Sequence, residues 1–116
     1  MIIRSEGVFP FAEFKDRLLE RWPTALTRDL EGTSRQALLD FEISMARSTL
    51  YGTFFRGGKS VSFSGDLADC AAFAHWCRLL IPANEDVMFC DEMVNMSLDL
   101  NLDTTLNEIV DAVMSS

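Results

Sequence analysis

Residues 60–92, SVSFSGDLADCAAFAHWCRLLIPANEDVMFCDE, decide the fold. Val61 and Phe63 alternate with Ser60, Ser62 and Ser64, the period-two pattern of a strand with one buried face. Gly65-Asp66 interrupts that pattern, and a carboxylate at Asp66 can accept one of the free backbone N–H groups of a helix's first turn. Cys70, Phe73, Ala74, Cys77, Leu80 and Ile81 then recur at helical spacing, with Ala68, Ala71 and Ala72 filling the turns. Pro82 stops the helix, because the residue before a proline is pushed out of the α region. Past the turn Ala83-Asn84-Glu85-Asp86, the apolar run Val87-Met88-Phe89-Cys90 reads as a second strand closing on Asp91-Glu92. The unit is strand, helix, strand.

Working back from Ser60, Arg56-Gly57-Gly58-Lys59 is a hairpin signal, since glycine supplies the positive φ of a tight turn. Residues 49–55 place Leu50, Gly52 and Phe54 on one face, and Tyr51, Thr53 and Phe55 on the other. Tyr51 and Phe55 are expected to pack under a neighbouring loop or to form a contact patch. In residues 39–46, Phe41, Ile43 and Met45 alternate with Asp40, Glu42 and Ser44. The polar stretch 24–38, TALTRDLEGTSRQAL, is expected to be a surface loop. Before it, Phe11, Phe14, Leu18 and Trp22 make the apolar stripe of an amphipathic helix, with Pro10 at its first position and Pro23 at its end. Ile2-Ile3 opens a short strand. Trp22 and Trp76 lie near the ends of their helices; core packing is the ordinary role, with Trp76 off the main stripe and open to an interface.

Working forward from Glu92, residues 95–102 alternate again, Met96, Leu98, Leu100 and Leu102 inward and Ser97, Asp99 and Asn101 outward. Thr105-Leu106-Asn107-Glu108 has the spacing of a capping box, and Leu106, Ile109, Val110 and Val113 form the stripe of a last helix. The order β-α-β-β-β-α-β-β-α, with tight turns between successive strands, predicts an α+β fold. It consists of a mostly antiparallel, twisted sheet of five to six strands with three helices on one face or edge. Residues 1–116 are expected to form one domain. The uncovered face would carry Glu42, Ser44, Ser60, Ser62, Asp99 and Asn101.

Hydrophobic residues make up 48% of the 116, which argues against disorder, and no apolar run approaches the length of a membrane span. No signal peptide is expected. The three cysteines, Cys70, Cys77 and Cys90, fall on apolar positions and fit buried, reduced thiols of a cytoplasmic protein. The net charge of −8 is unevenly placed. Residues 1–65 hold eight acids and nine bases, whereas residues 66–116 hold ten acids and one base, Arg78. Backbone recognition of nucleic acid needs a continuous basic face, and the bases here are scattered among acids.

Chemistry-bearing patterns are scarce. His75 has no HxxxH or CxxC company, and Cys70 and Cys77 lie about 10 Å apart along the helix, too far for one zinc ion. No metal and no cofactor is expected. No Cys–His pair is aligned for nucleophilic catalysis. The acids Glu85, Asp86, Asp91, Glu92, Asp99 and Asp103 gather around the last two strands. They serve as a solvated edge that discourages strand pairing, or as a face complementary to a basic partner. As catalysts they would need a pocket that drives two carboxyl pKa values apart.

The run from Ser60 to Glu92, with FAHWCRLLIP at its centre and the strand and capped helix that follow, resembles the small bacterial immunity proteins. The likeness is to the cytosolic antidotes of contact-dependent growth inhibition and related polymorphic toxin systems, and it spans residues 40–113. The resemblance implies a non-enzymatic, stoichiometric inhibitor that binds and neutralises a cognate toxin domain, such as a basic nuclease, by occlusion. No residue role transfers by position. From charge, Asp91, Glu92, Asp99 and Asp103 are the expected partner contacts, with Glu85 and Asp86 next. The protein is then a monomer or weak dimer with a protein partner, and with neither nucleic acid nor membrane. Two other classes compete: a homo-oligomeric structural or regulatory protein, and a carboxylate-dependent enzyme.

Overall fold

The computed structural model describes residues 1–30, 32, 35–91 and 96–115. The chain runs β1 (Ile2–Ser5), α1 (Phe11–Arg21), β2 (Leu26–Asp29), β3 (Ala37–Ser44), β4 (Thr49–Phe55), β5 (Ser60–Ser64), α2 (Leu67–Leu79), β6 (Val87–Cys90), β7 (Ser97–Leu100) and α3 (Leu106–Met114). Seven strands form one antiparallel sheet in the order β2-β3-β4-β5-β1-β6-β7. The class is α+β, as the alternating patterns predict.

The strand–helix–strand unit forms as its residues dictate. Asp66 caps α2 by accepting the Ala68 N–H at 2.9 Å. The helix ends at Leu79, ahead of Pro82. Its apolar residues run most of the way around, so it is buried between α1, α3 and the sheet. Phe73 packs on Phe41 and Phe63 with ring centroids 5.5 and 4.9 Å apart. Trp22 and Trp76 meet edge-on at 5.0 Å where α1 meets α2, both partly buried and packed against the core.

The hairpin between β4 and β5 turns through Gly57 and Gly58, both at positive φ. Gly58 is doubly required. A Cβ there would stand 2.6 Å from the Phe9 carbonyl oxygen, and the Gly58 carbonyl accepts the Phe9 N–H at 2.6 Å. The capping box of α3 is present in both directions, with Glu108 N–H donating to Thr105 Oγ1 and Thr105 N–H to Glu108 Oε1, each at 3.1 Å.

Four expectations are corrected. The stretch expected to be a loop contains β2, which raises the strand count to seven and adds a strand to the order. Leu26 is 66% exposed and the strand buries no side chain. β2 is held by backbone pairing to β3 and by the Arg28–Asp40 ion pair at 3.1 Å, so no hydrophobic alternation marks it. The third strand starts at Ala37 and ends at Ser44 rather than spanning 39–46, with a register shift between Ala37 and Leu39. Pro10 is the N-cap of α1 rather than its first helical residue. Finally β7 stops at Leu100, so Leu102 lies in the following loop, 45% exposed, and Asn101 lies past the sheet face it was assigned to.

All three helices lie on the face bearing Leu39, Phe41, Ile43, Leu50, Phe54, Val61, Phe63 and Phe89. The opposite face carries Glu42, Ser44, Ser60, Ser62 and Asp99, as expected, together with Arg28, Asp40, Tyr51, Thr53, Arg4 and Met88. No described helix covers it. Among the described residues no helix is long and apolar enough to cross a membrane.

Candidate functional site

β1, α2, β6 and β7 bring the acidic segment together at one end of the sheet. β1 leaves at Ser5, β6 begins at Val87 and β7 finishes at Leu100, and Val87 pairs with both Ser5 and Leu100. A cleft of about 900 Å³ opens there. Its acidic lining is Glu6, Glu85, Asp86 and Asp99, and its basic lining is Arg4, Lys59 and Arg78. Two shallower depressions lie on the open face, one bordered by Glu42, Tyr51, Thr53 and Ser62, the other by Leu26, Arg28 and Asp40.

The six residues expected at a partner contact divide. Glu85, Asp86 and Asp99 share the cleft. Asp103 is exposed beyond β7, in the turn where its N–H donates to Asn101 Oδ1 at 2.9 Å. Asp91 lies at the opposite end of β6, its Oδ1 accepting the Met96 N–H at 3.4 Å. Four residues of strand lie between it and Asp86, five steps of the chain or about 16 Å. Asp91 therefore does not join the others. Glu92 lies outside the described residues. Arg4, Glu6 and Lys59 were not among the expected contacts. Their place depends on β1 pairing between β5 and β6, and no local pattern reports such long-range pairing.

Arg78 holds the cleft's inner end. It is 2% exposed, and among the described residues its guanidinium has no carboxylate partner. Instead Nε donates to the Leu100 carbonyl at 2.9 Å and Nη1 to the Ile81 carbonyl at 2.7 Å. Nη2 makes longer contacts, 3.4 to 3.5 Å, to the carbonyls of Pro82, Ala83 and Glu85. A cation at the C-terminal end of a helix also meets the negative end of the helix dipole. Burial lowers its pKa from the ordinary arginine value. One side chain thus ties the end of α2, the turn bearing Glu85 and Asp86, and the end of β7.

Asp69 does the corresponding work at the other end of α2. It is 4% exposed and accepts the Ser48 hydroxyl at 2.7 Å and the Arg47 N–H at 3.1 Å. Ser48 Oγ in turn accepts the Asp66 N–H at 2.9 Å. The β3–β4 turn is thereby fastened to the helix N-terminus, with Arg47 paired to Asp66 at 3.3 Å on the surface.

The cysteines are buried and free. Burial pushes the Cys77 thiol well above its ordinary value, and burial is also the main cause of the rise at Cys70, with Asp69 and Asp66 adding to it and the Met1 amino group opposing it. Neither is poised as a thiolate nucleophile. Among the described residues no three of His, Cys, Asp and Glu stand together as ligands for one metal ion. Compared with protein-family models, with curated proteins and with solved structures, the chain finds no match.

Proposed function

We propose that this chain is an immunity protein that binds a basic toxin domain and neutralises it by stoichiometric occlusion. The observation that carries the reading is the gathering of Glu85, Asp86, Asp99 and Glu6 around one open cleft. None of these four carboxylates has an ion-pair partner among the described residues. Unpaired surface carboxylates on a rigid sheet end attract a basic surface and raise its rate of association at low salt. Asp103, one turn beyond, extends the same acidic end. A uniformly charged segment, ten acids to one base, adds a longer-range field of the same sign.

The test is capture followed by neutralisation. The immobilised protein is exposed at low salt to a lysate of its source organism, and bound material is eluted with rising salt. The reading expects one basic polypeptide, retained one-to-one, whose toxic activity this protein silences. Retention of a polypeptide whose activity is unaffected would refute it. So would recovery of the protein alone as a stable dimer, which would favour the homo-oligomeric reading.

A further inference from the structure

The cleft carries charges of both signs that do not meet. Arg4 and Lys59 stand on the side of β1 and the β4–β5 turn, whereas Glu85, Asp86 and Asp99 stand on the side of the α2–β6 turn and β7, joined by Glu6, which follows β1 and donates its backbone N–H to the Asp86 carbonyl at 3.0 Å. Elsewhere on this surface acids and bases do pair: Lys15 with Asp29, Arg17 with Glu13, Arg28 with Asp40 and Arg47 with Asp66, at 3.0 to 3.3 Å. Among the described residues no ion pair joins the two sides of the cleft.

The strand register explains the separation. Ser60, Arg4, Met88 and Asp99 form one row across β5, β1, β6 and β7 on the open face. Met88 stands between Arg4 and Asp99, and two inter-strand steps put their Cα atoms about 10 Å apart. The third cation of the lining, Arg78, is engaged by backbone carbonyls. The fold thus fixes opposite charges on two sides of one cleft, with an apolar Met88 between them.

We infer that the cleft receives a segment of the partner polypeptide that itself carries both signs of charge. Its basic side chain faces Glu85, Asp86 and Asp99, and its acidic side chain faces Arg4 and Lys59. A purely basic segment meets Arg4 and Lys59 as like charges, and a purely acidic one meets the carboxylates. Discrimination of this kind comes from repulsion of the wrong ligand as much as from attraction of the right one. The inference rests on the partner-binding reading for which protein supplies the segment, but not for the charge pattern that segment must have.

Short synthetic peptides test it without the partner. In a glycine–serine background with blocked ends, one peptide carries an arginine and an aspartate two positions apart, on the same face of the extended chain and about 7 Å apart. A second carries two arginines and a third two aspartates. Each is titrated into the whole protein while backbone amide shifts are followed by NMR. The mixed-sign peptide is expected to move the amides of Arg4, Lys59, Met88 and Asp99 and to bind severalfold more tightly than either single-sign peptide. Lys59→Ala and Asp99→Asn should each weaken it about two- to fivefold, the scale of one exposed ion pair. Equal binding of the two-arginine peptide, strengthened by Lys59→Ala, would overturn the inference in favour of a plain acidic surface. Absence of shifts at the cleft with every peptide at about 5 mM, the edge of weak specific binding, would also overturn it. Failure of the lysate capture with a positive peptide result would remove the toxin but leave the charge pattern standing.

Discussion

Replacing Gly52 by alanine should destabilise the protein by about 2 kcal/mol, the upper part of the range for overpacking a core, about 3 kcal/mol, less the roughly 0.5–1 kcal/mol gained by removing a strand glycine. Gly52 pairs directly with Phe41 across β3 and β4. The Phe41 ring lies over the glycine, so an added Cβ would fall inside the van der Waals envelope of Cζ and Cε2, with Cε1 at 3.0 Å. The ring would have to retreat by about 1.5 Å to reach ordinary contact. It has no room to do so, because the Phe14 and Phe73 rings stand behind it at 5.9 and 5.5 Å and Phe41 is buried. Gly52 is not at positive φ, so alanine fits the backbone and the cost is purely one of packing. Urea unfolding at neutral pH should report the loss, with a fall in Tm of roughly 10 °C. The decisive comparison is a double-mutant cycle with Phe41→Leu, which shortens the opposing side chain at its own cavity cost of about 1–3 kcal/mol. In that background Gly52→Ala should cost close to nothing, giving a coupling of about 2 kcal/mol. A neutral or stabilising Gly52→Ala, or strict additivity with Phe41→Leu, would refute the reasoning.

The remaining predictions concern buried polar groups. Arg78→Met should cost about 3 kcal/mol by leaving the Leu100 and Ile81 carbonyls without their donor, measured by chemical denaturation, and a loss under 1 kcal/mol would contradict it. Asp69→Ala should cost about 2 kcal/mol and raise amide exchange at Arg47, whereas Asp66→Ala, at a more exposed cap, should cost about 1 kcal/mol. Stability should also fall as pH rises above 9.0, the ordinary thiol value, because Cys77 and Cys70 keep their protons when folded and lose them when unfolded. The unfolded chain then binds fewer protons than the folded one, which makes the slope negative, up to about 1.4 kcal/mol per pH unit for each thiol. Cys77→Ala should flatten that slope above pH 9.0, by up to one proton's worth of linkage.

What could be read from the chain follows from where the information is local. α2 announces itself through Asp66, its apolar spacing and Pro82, and α3 through Thr105 and Glu108, because caps and periodicity act within a few residues. β2 leaves no such mark, since its stability comes from pairing with β3 rather than from burial. Asp69 and Arg78 look like any helix surface charge until the β3–β4 turn and the end of β7 are brought against them. The candidate site is legible in the same measure. The run Glu85-Asp86 and the alternation at Asp99 put three carboxylates on adjacent elements, and these three share the cleft. The opposing Arg4 and Lys59 come from the insertion of β1, and Asp91 separates from its fellow acids because a four-residue strand intervenes.

The place of β1 also sets an order of events in folding. Residues 26–64 can form a four-stranded meander as soon as they exist, and 87–100 a two-stranded ribbon, each by contacts between neighbours in sequence. Among the described residues the two meet within the sheet through β1, which precedes both in the chain and whose Ile3 pairs on one side with Val61 and on the other with Phe89. On the ribosome the earliest-synthesised strand must therefore wait for nearly the whole chain before both its edges are occupied. Long-range closure of this kind slows folding and prolongs the time an unpaired apolar edge is on display. The sheet is assembled from two local pieces, and its keystone is the segment that leaves the ribosome before either of them.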